Sequence, residues 1–275
     1  MEILRQLQQH LPAFALDVLR LCVWLLLLML VFIPLERFCA LHAQKVLRQG
    51  FVTDLAYYFI NSLLPKLLLA LPLSIIALGL HATVPGGWYA WVAAMPLGLR
   101  FVAAMVVGEF GAYWGHRWSH EFPLLWRFHA IHHSAEEMDW LVNTRAHPLD
   151  MVFTRLCGLV PIYVLGLAQP TGNSVDVVPM LYVIFATVWS FFIHANVRWR
   201  FGWLEQLVAT PAFHHWHHTN DGADYINKNY AAIFPWVDRI FGSYYLPAQQ
   251  WPLKYGIDAL TEPNLAGQLW QPLRL

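Results

Sequence analysis

Long apolar runs alternate with short polar segments along this chain, and several runs have the length of a membrane span. The first covers about residues 16–34, with the core CVWLLLLMLVFI, and the second about 54–80. Three more cover about 101–118, 149–167 and 177–193. A helix of about 20 apolar residues crosses the hydrocarbon of a bilayer. The pattern predicts an all-α, polytopic membrane helical bundle with four to five spans.

The segments between and after these runs complete the predicted architecture. Residues 36–50 have mixed polarity and predict an amphipathic helix at the membrane surface. Pro65 and Pro72 interrupt the second run and predict a kinked or broken span. The chain after residue 198 is too polar to span, so we expect a cytoplasmic, histidine-rich helical cap. Three parts are predicted: N-terminal spans with an interfacial helix (1–100), a catalytic domain (101–245) and a tail (246–275).

Composition supports the membrane class and excludes two others. The chain is 58% hydrophobic and 12% charged, whereas a soluble domain is about 25% charged. The formal net charge is +0, which gives no basic footprint for a nucleic acid, so we expect no nucleic-acid partner. The three cysteines are scattered and form no CxxC pair. They therefore indicate neither a disulfide framework nor a thiolate metal site.

The distribution of basic residues orients the predicted bundle. The loops before the third run and between the fourth and fifth contain no Lys or Arg, whereas the opposite side carries many. Cytoplasmic loops are enriched in Lys and Arg, so that opposite side is predicted to be cytoplasmic. Every clustered histidine falls on the same side. The sequence therefore predicts a histidine site at the cytoplasmic face of the membrane.

Eight histidines fall into three clusters with the spacing of metal ligands. Residues three or four apart share a helix face, so each cluster can aim two or three imidazoles at one point. Imidazole suits iron, zinc, copper and nickel. Eight nitrogen ligands exceed what one ion takes, so we predict two metals, each with an open position. The clusters are HRWSH (His116, His120), HAIHH (His129, His132, His133) and HHWHH (His214, His217, His218).

Five further residues are candidates for the same site. His194, at the end of the fifth run, could add a ligand, and His147 is equally a possible ligand or a structural residue. Glu109 is a carboxylate inside a span, where such groups are usually functional. It could fix the tautomer of an imidazole, or pair with a basic residue or a neighbouring helix. Asp150 and Asp238 lie on the histidine side, and either could hold the second nitrogen of a ligand.

The motifs HRWSH, HAIHHS, TRAHP, HAN and FHHWHH, in this order between apolar runs, resemble the fatty acid hydroxylase/sterol desaturase superfamily, and the bacterial sterol-desaturase-like proteins in particular. The ending NKNYAAIFPWVDRIFGSYY is similar too, so the resemblance covers about residues 101–245. It implies a di-iron centre that uses O2 to hydroxylate, desaturate or demethylate lipids, or to cleave ether lipids. The implied ligands are His116, His120, His129, His132, His133, His214, His217 and His218, with His194 as an addition.

The resemblance also implies the surroundings of the enzyme. We expect a lipid or sterol-like substrate from the bilayer and a location in the bacterial inner membrane. No cytochrome-b5-like segment is present in the sequence, so we expect a separate electron donor of the cytochrome b5, ferredoxin or reductase type. Zinc is a possible substitute for iron.

Other readings remain open at this point. A zinc-dependent membrane hydrolase would use metal-activated water, but HExxH is absent and eight histidines are too many. A metal transporter or sensor would carry its ligands along a path through the middle of the membrane. A scaffold without activity does not need intact clusters.

Overall fold

The computed structural model describes residues 11–168 and 176–274, which are mainly helical. Two isolated bridges and no β-strand occur within these residues. Short 3-10 helices cover Trp140–Thr144, Gly202–Gln206 and Gln271–Leu273. The α-helices of the described residues are α1 (Ala13–Phe38), α2 (Phe51–Thr83), α3 (Gly86–Ala93), α4 (Leu97–Glu121), α5 (Pro123–His133), α6 (Pro148–Val164), α7 (Val177–His194), α8 (Pro211–His217), α9 (Trp236–Phe241) and α10 (Leu265–Trp270).

Among the described residues, four helices are long and apolar enough to cross a membrane: α1, α2, α4 and α7. The predicted all-α bundle of four to five spans is confirmed, with four candidate spans among the described residues. The run at 149–167 forms α6, which has 17 residues and ends near Gly166, a glycine with a φ of 71°. A left-handed glycine at this place ends a helix because its backbone cannot continue the right-handed turn.

Two local predictions need correction. Of the kink or break predicted at Pro65 and Pro72, the break is wrong, because α2 runs through both prolines as one helix. Each proline removes one backbone hydrogen bond from the helix. A break would leave several more backbone groups without a partner, which is costly in lipid. The interfacial helix predicted over 36–50 is absent, since α1 continues to Phe38 and turns follow. There the Asn196 amide satisfies the backbone N–H and carbonyl of His42, at 2.9 and 2.8 Å, in place of helical bonds.

Close packing of α4 against α6 sets the position of the first histidines. A Cβ at Gly115 would lie 2.7 Å from the Cβ of Cys157, so only glycine permits this approach. Phe122 alone links α4 to α5, and Pro123 occupies the first turn of α5. An N–H at that position would have no partner within the helix, so proline costs no hydrogen bond there. The chain therefore turns sharply and α5 lies beside the end of α4.

A buried ion network joins the turns before α2 to the segment between α5 and α6. The Arg48 guanidinium contacts the carboxylates of Asp54 and Asp139, each at 2.7 Å. Arg145 reaches the same Asp54 carboxylate at 2.5 Å. All four side chains are almost fully buried, so each charge depends on its partners. At the opposite end of the bundle, Arg100 pairs with Asp176 at 2.7 Å.

The segment after residue 198 packs on the same end as these turns. Thr210 caps α8 by accepting a hydrogen bond from the Phe213 N–H. The Asn229 side chain donates to the carbonyls of Phe213 and Tyr245, at 2.9 and 2.6 Å, and accepts from the Tyr245 N–H. These bonds bring α8 against the ends of α4, α5 and α7, where all the clustered histidines lie.

Candidate metal centre

Nine histidines at this end of the bundle form two adjacent groups. Within each group the potential ligand atoms lie within 4.8 Å of one another. The five-histidine group consists of His116, His120, His129, His133 and His217, and the four-histidine group of His132, His194, His214 and His218. The two groups share a wall, because the rings of His133 and His218 stack with their centroids 4.3 Å apart.

Each HxxHH motif places two of its histidines in one group, within the expected two or three, and the third in the other group. On α5, His129 and His133 join the five-histidine group and His132 joins the other. At α8 the division is reversed, with His217 in the five-histidine group and its two motif partners in the other. Successive helical residues are about 100° apart, so adjacent positions point into neighbouring sites. The pair of adjacent histidines in each motif therefore supplies one ring to each group.

Hydrogen bonds between Nδ1 and an oxygen atom hold most rings of the five-histidine group. His116 donates to the Tyr230 carbonyl at 2.7 Å, and His217 donates to the Lys228 carbonyl at 2.8 Å. His129 donates to the Asp150 carboxylate at 2.9 Å. His120 lies 3.2 Å from the side-chain oxygen of Asn227. Such contacts fix the tautomer, so that Nε2 is the free ligand atom of each ring.

The four-histidine group has fewer anchors. His132 donates its Nδ1 proton to the Arg145 carbonyl at 2.9 Å, and His194 donates to the Ser190 carbonyl at 2.7 Å. The Nδ1 atoms of His214 and His218 are buried and have no partner among the described residues. This group is fully buried, whereas His116 and His120 of the other group are partly exposed.

The facing nitrogens show that these sites fit a cation. A carbonyl only accepts, so the Nδ1 atoms of His132 and His194 carry the protons and their Nε2 atoms present lone pairs. These two Nε2 atoms lie 3.2 Å apart. The same holds in the other group, where the Nε2 atoms of His116 and His129 lie 3.1 Å apart. Two lone pairs facing each other repel unless a positive ion lies between them.

Distances and unsatisfied atoms support the same conclusion. Two nitrogens bound at right angles to one ion, each at roughly 2.1 Å, lie about 3.0 Å apart, close to the observed 3.0–3.2 Å. In the five-histidine group the Nε2 atoms of His120, His133 and His217 are buried and without a partner among the described residues. A buried polar atom left unpaired costs about 1–3 kcal/mol, and a metal ion removes that cost.

The environment keeps the imidazoles neutral, as metal ligands must be. Burial holds the pKa of His129, His132, His133 and His217 well below the usual value of 6.5. The charge that neighbouring imidazoles would carry lowers these pKa values further. The same two causes act on His214 and His218. Neutral rings with fixed tautomers offer their Nε2 lone pairs without first losing a proton.

The remaining candidates lie at different distances from the groups. Asp150 contacts His129 directly. Glu109 instead accepts the backbone N–H groups of Ile233 and Phe234, at 2.8 and 3.1 Å, and contacts no histidine among the described residues. Asp238 accepts the N–H groups of Tyr230 and Ala231, so it orders the segment whose carbonyl holds His116. His147 uses one nitrogen to cap α6 and the other to reach the Leu269 carbonyl at 3.1 Å. It therefore lies outside both groups.

Sequence reasoning missed the backbone carbonyls that anchor the rings, and it missed Asn227 and Tyr230. Asn227 has a φ of 60°, a conformation that Asn tolerates better than most residues. The buried Tyr230 ring packs against His116, His120 and His217, with centroids 5.2–6.1 Å apart. The motif NKNY could be linked to the site only through the resemblance. No spacing rule connects it with His116 and His120, which lie more than a hundred residues earlier.

Four membrane-length helices carrying two buried histidine groups at one end define an integral membrane protein with a potential dinuclear metal site. Residues 101–243 match the model of the fatty acid hydroxylase family, which is more than half of the chain. The chain belongs to this family.

Curated relatives carry out oxidations of lipids. The chain is 33% identical over 183 residues to ornithine lipid hydroxylase OlsE of Rhizobium tropici, covering 66% of this chain and 53% of that protein. It is 30% identical over 158 residues to alkylglycerol monooxygenase of Homo sapiens, covering 56% and 32%. It is 27% identical over 194 residues to a Delta(7)-sterol 5(6)-desaturase of Gibberella zeae, covering 68% and 53%.

The chain thus aligns with about half, or less, of the length of these relatives. No solved structure matches it.

Proposed function

We propose that the protein is an oxygen-dependent lipid oxidoreductase that binds two iron ions, one in each histidine group. One observation carries this proposal: Nε2 atoms of neighbouring histidines face each other with their lone pairs. The nine neutral imidazoles fall into one group of five and one group of four. The family and the hydroxylase, monooxygenase and desaturase names of the relatives favour iron and oxygen over a hydrolytic zinc site.

In this proposal the chain supplies binding and geometry. The ions would supply the binding of O2 and the oxidising power for a C–H bond. The histidines hold both ions with neutral ligands, and Asp150 fixes the ring of His129 in one tautomer. Burial of the four-histidine group keeps water away from it. A dry site protects a reactive oxidant from side reactions.

An apolar cavity of about 500 Å³ provides a place for the lipid. It lies between α1, α2, α4, α6 and α7, and four of these helices are long and apolar enough to cross a membrane. Its wall includes Ser190, whose carbonyl anchors His194, and Thr144, which precedes the carbonyl that anchors His132. An acyl chain in this cavity would be separated from the four-histidine group by wall residues such as Ser190.

The wider setting is part of the proposal. The positive-inside distribution supports a cytoplasmic position of the histidine end, and the resemblance to bacterial sterol-desaturase-like proteins supports a bacterial inner membrane. A separate cytosolic donor of the cytochrome b5, ferredoxin or reductase type would then deliver electrons at that end. Labelling of single introduced cysteines near residue 223 and near residue 85 with a membrane-impermeant reagent tests the orientation. Labelling of the residue-223 site in intact cells would contradict it.

The decisive experiment measures metal content per chain in gently purified protein by elemental mass spectrometry. Wild type is compared with His120→Ala and His217→Ala, and with His42→Ala as a matched control outside both groups. We expect about two irons per wild-type chain, fewer in both ligand variants, and no change in the control. Lipid profiling of cells with and without oxygen then identifies the product.

Two results would contradict the proposal. Zinc alone after iron-supplemented expression would favour the hydrolase, and an absence of stoichiometric metal would show that the groups are not metal sites. A product that lacks both a new hydroxyl and a new double bond, and shows no ether cleavage, would exclude the expected oxidations.

A further inference from the structure

The cavity contains a cation that the oxidation itself does not explain. Most of its wall is apolar, but Arg155 of α6 contributes to it. Arg155 lies one helical turn after Met151, which also lines the cavity, so both point the same way. A charged residue enclosed by membrane helices is costly and is usually retained for a function.

Arg155 differs from the other buried arginines in its lack of a partner. Arg48, Arg100 and Arg145 each contact a carboxylate within 2.7 Å. Within residues 11–168 and 176–274, Arg155 forms no ion pair and no hydrogen bond through its side chain. Glu109 lines the same cavity, but its carboxylate accepts two backbone N–H groups instead. The cavity wall therefore presents a guanidinium that no carboxylate of the described residues contacts.

We propose that Arg155 binds the negatively charged group, a carboxylate or a phosphate, of a long-chain lipid whose chain occupies the apolar cavity. The guanidinium matches both anions with paired N–H donors, and the apolar walls exclude a small, fully hydrated anion. This deepens the proposed function by naming the substrate class, and it rests on that function only for the oxidation step.

The position of Arg155 also limits which part of the lipid is oxidised. It follows Asp150 by five residues, or roughly 7.5 Å along the helix axis. Asp150 holds His129 of the five-histidine group. An anionic group bound at Arg155 would therefore keep the adjoining carbons of the lipid near the metal end of the cavity, so we expect oxidation near the charged group.

Equilibrium binding without turnover tests the assignment. Three amphiphiles with the same oleoyl chain are titrated into iron-loaded, full-length protein in a non-ionic detergent: oleate, oleoyl-lysophosphatidate and neutral monoolein. Arg155→Gln is compared with wild type and with Arg274→Gln, which removes an exposed arginine from the surface. Sodium acetate and inorganic phosphate are added as competitors to test free anions.

We expect wild type and Arg274→Gln to bind at least one anionic lipid about tenfold more tightly than monoolein. In Arg155→Gln that preference should vanish while monoolein binding stays unchanged, which also shows that the cavity is intact. The preferred anion identifies the group as carboxylate or phosphate. Equal affinity for all three lipids in wild type would overturn the inference, and so would an unchanged preference in Arg155→Gln.

Displacement by acetate or phosphate alone would also overturn the inference, because the site would then recognise a small anion and not a lipid. Since no oxidation is measured, loss of the preference and loss of iron are separate results. A failure of the proposed function and a failure of this inference are therefore distinguishable.

Discussion

The two histidine groups face different surroundings, although they share a wall. Among the described residues, four of five rings in the five-histidine group have an anchored Nδ1, against two of four in the other. Two rings of the first group are partly exposed, whereas the second group is fully buried. The first group includes an anchoring carboxylate. In the second group His194 is held by the carbonyl of Ser190, a residue that lines the apolar cavity.

If each group holds one of the proposed ions, this difference predicts a division of roles between the two groups. More ligands and anchors favour tighter binding in the five-histidine group, near the end where an electron donor would dock. Fewer ligands leave more open positions in the four-histidine group, next to the proposed lipid. Four tests, taken from the largest expected effect to the smallest, examine this division.

Adjacent histidines on α5 allow the sharpest test. His132 and His133 are both buried and on the same turn, but belong to different groups. In His132→Ala three ligands remain in one group, so we expect about one iron per chain. In His133→Ala four ligands remain in the five-histidine group, so we expect a smaller loss of iron than in His132→Ala. Elemental mass spectrometry measures both. Equal losses would show that the groups do not bind their ions independently.

The second test removes the centre of the buried ion network. Arg48→Ala leaves Asp54 and Asp139 without a shared cation, and breaking such a buried pair costs about 3–5 kcal/mol. The network holds Arg145, whose carbonyl anchors His132, so the four-histidine group should lose its ion first. Thermal unfolding in detergent and iron content measure the two effects.

A surface arginine provides the control for this change. Arg20 forms an exposed pair with Asp17 on α1, so Arg20→Ala should change stability by less than about 1 kcal/mol. Equal destabilisation by Arg48→Ala and Arg20→Ala would show that the network is unimportant.

This network also shows where sequence reasoning succeeds and where it ends. Apolar runs predicted the four spans, because length and hydropathy are local properties of the chain. Spacing singled out eight histidines, because helical geometry is local too. The partition between two groups depends on how α5 and α8 approach each other, which no local pattern records. Arg48, Asp54 and Asp139 meet from segments up to 91 residues apart, so their pairing could not be read from spacing.

Long-range contacts also account for the absent helix at 36–50 and for the partners of Glu109. Residues 36–50 have an amphipathic pattern, but tertiary bonds from Asn196 to His42 replace the helix. Glu109 looked like a histidine partner because it lies two turns before His116. Its actual partners, the N–H groups of Ile233 and Phe234, lie more than a hundred residues later.

The third test concerns the carboxylate that anchors only the five-histidine group. Asp150→Asn keeps the shape but removes the charge beside His129. Loss of such an outer contact weakens metal binding about 10- to 100-fold. We expect iron to leave the five-histidine group at a lower chelator concentration, while the other group is unaffected. Asp258→Asn, at an exposed contact with Asn220, is the control. A loss of both ions together would contradict independent anchoring.

The smallest effect is expected at Ser190, where backbone and side chain have separate roles. Its carbonyl anchors His194, whereas its hydroxyl donates to Asn143 at 2.5 Å in the cavity wall. Ser190→Ala keeps the carbonyl, so we expect full iron content and a stability loss of about 1 kcal/mol. Ser74→Ala, which removes an exposed hydroxyl bond on α2, is the matched control. A fall in iron content for Ser190→Ala alone would mean that the cavity wall positions His194, and that the substrate cavity and the four-histidine group form a single unit.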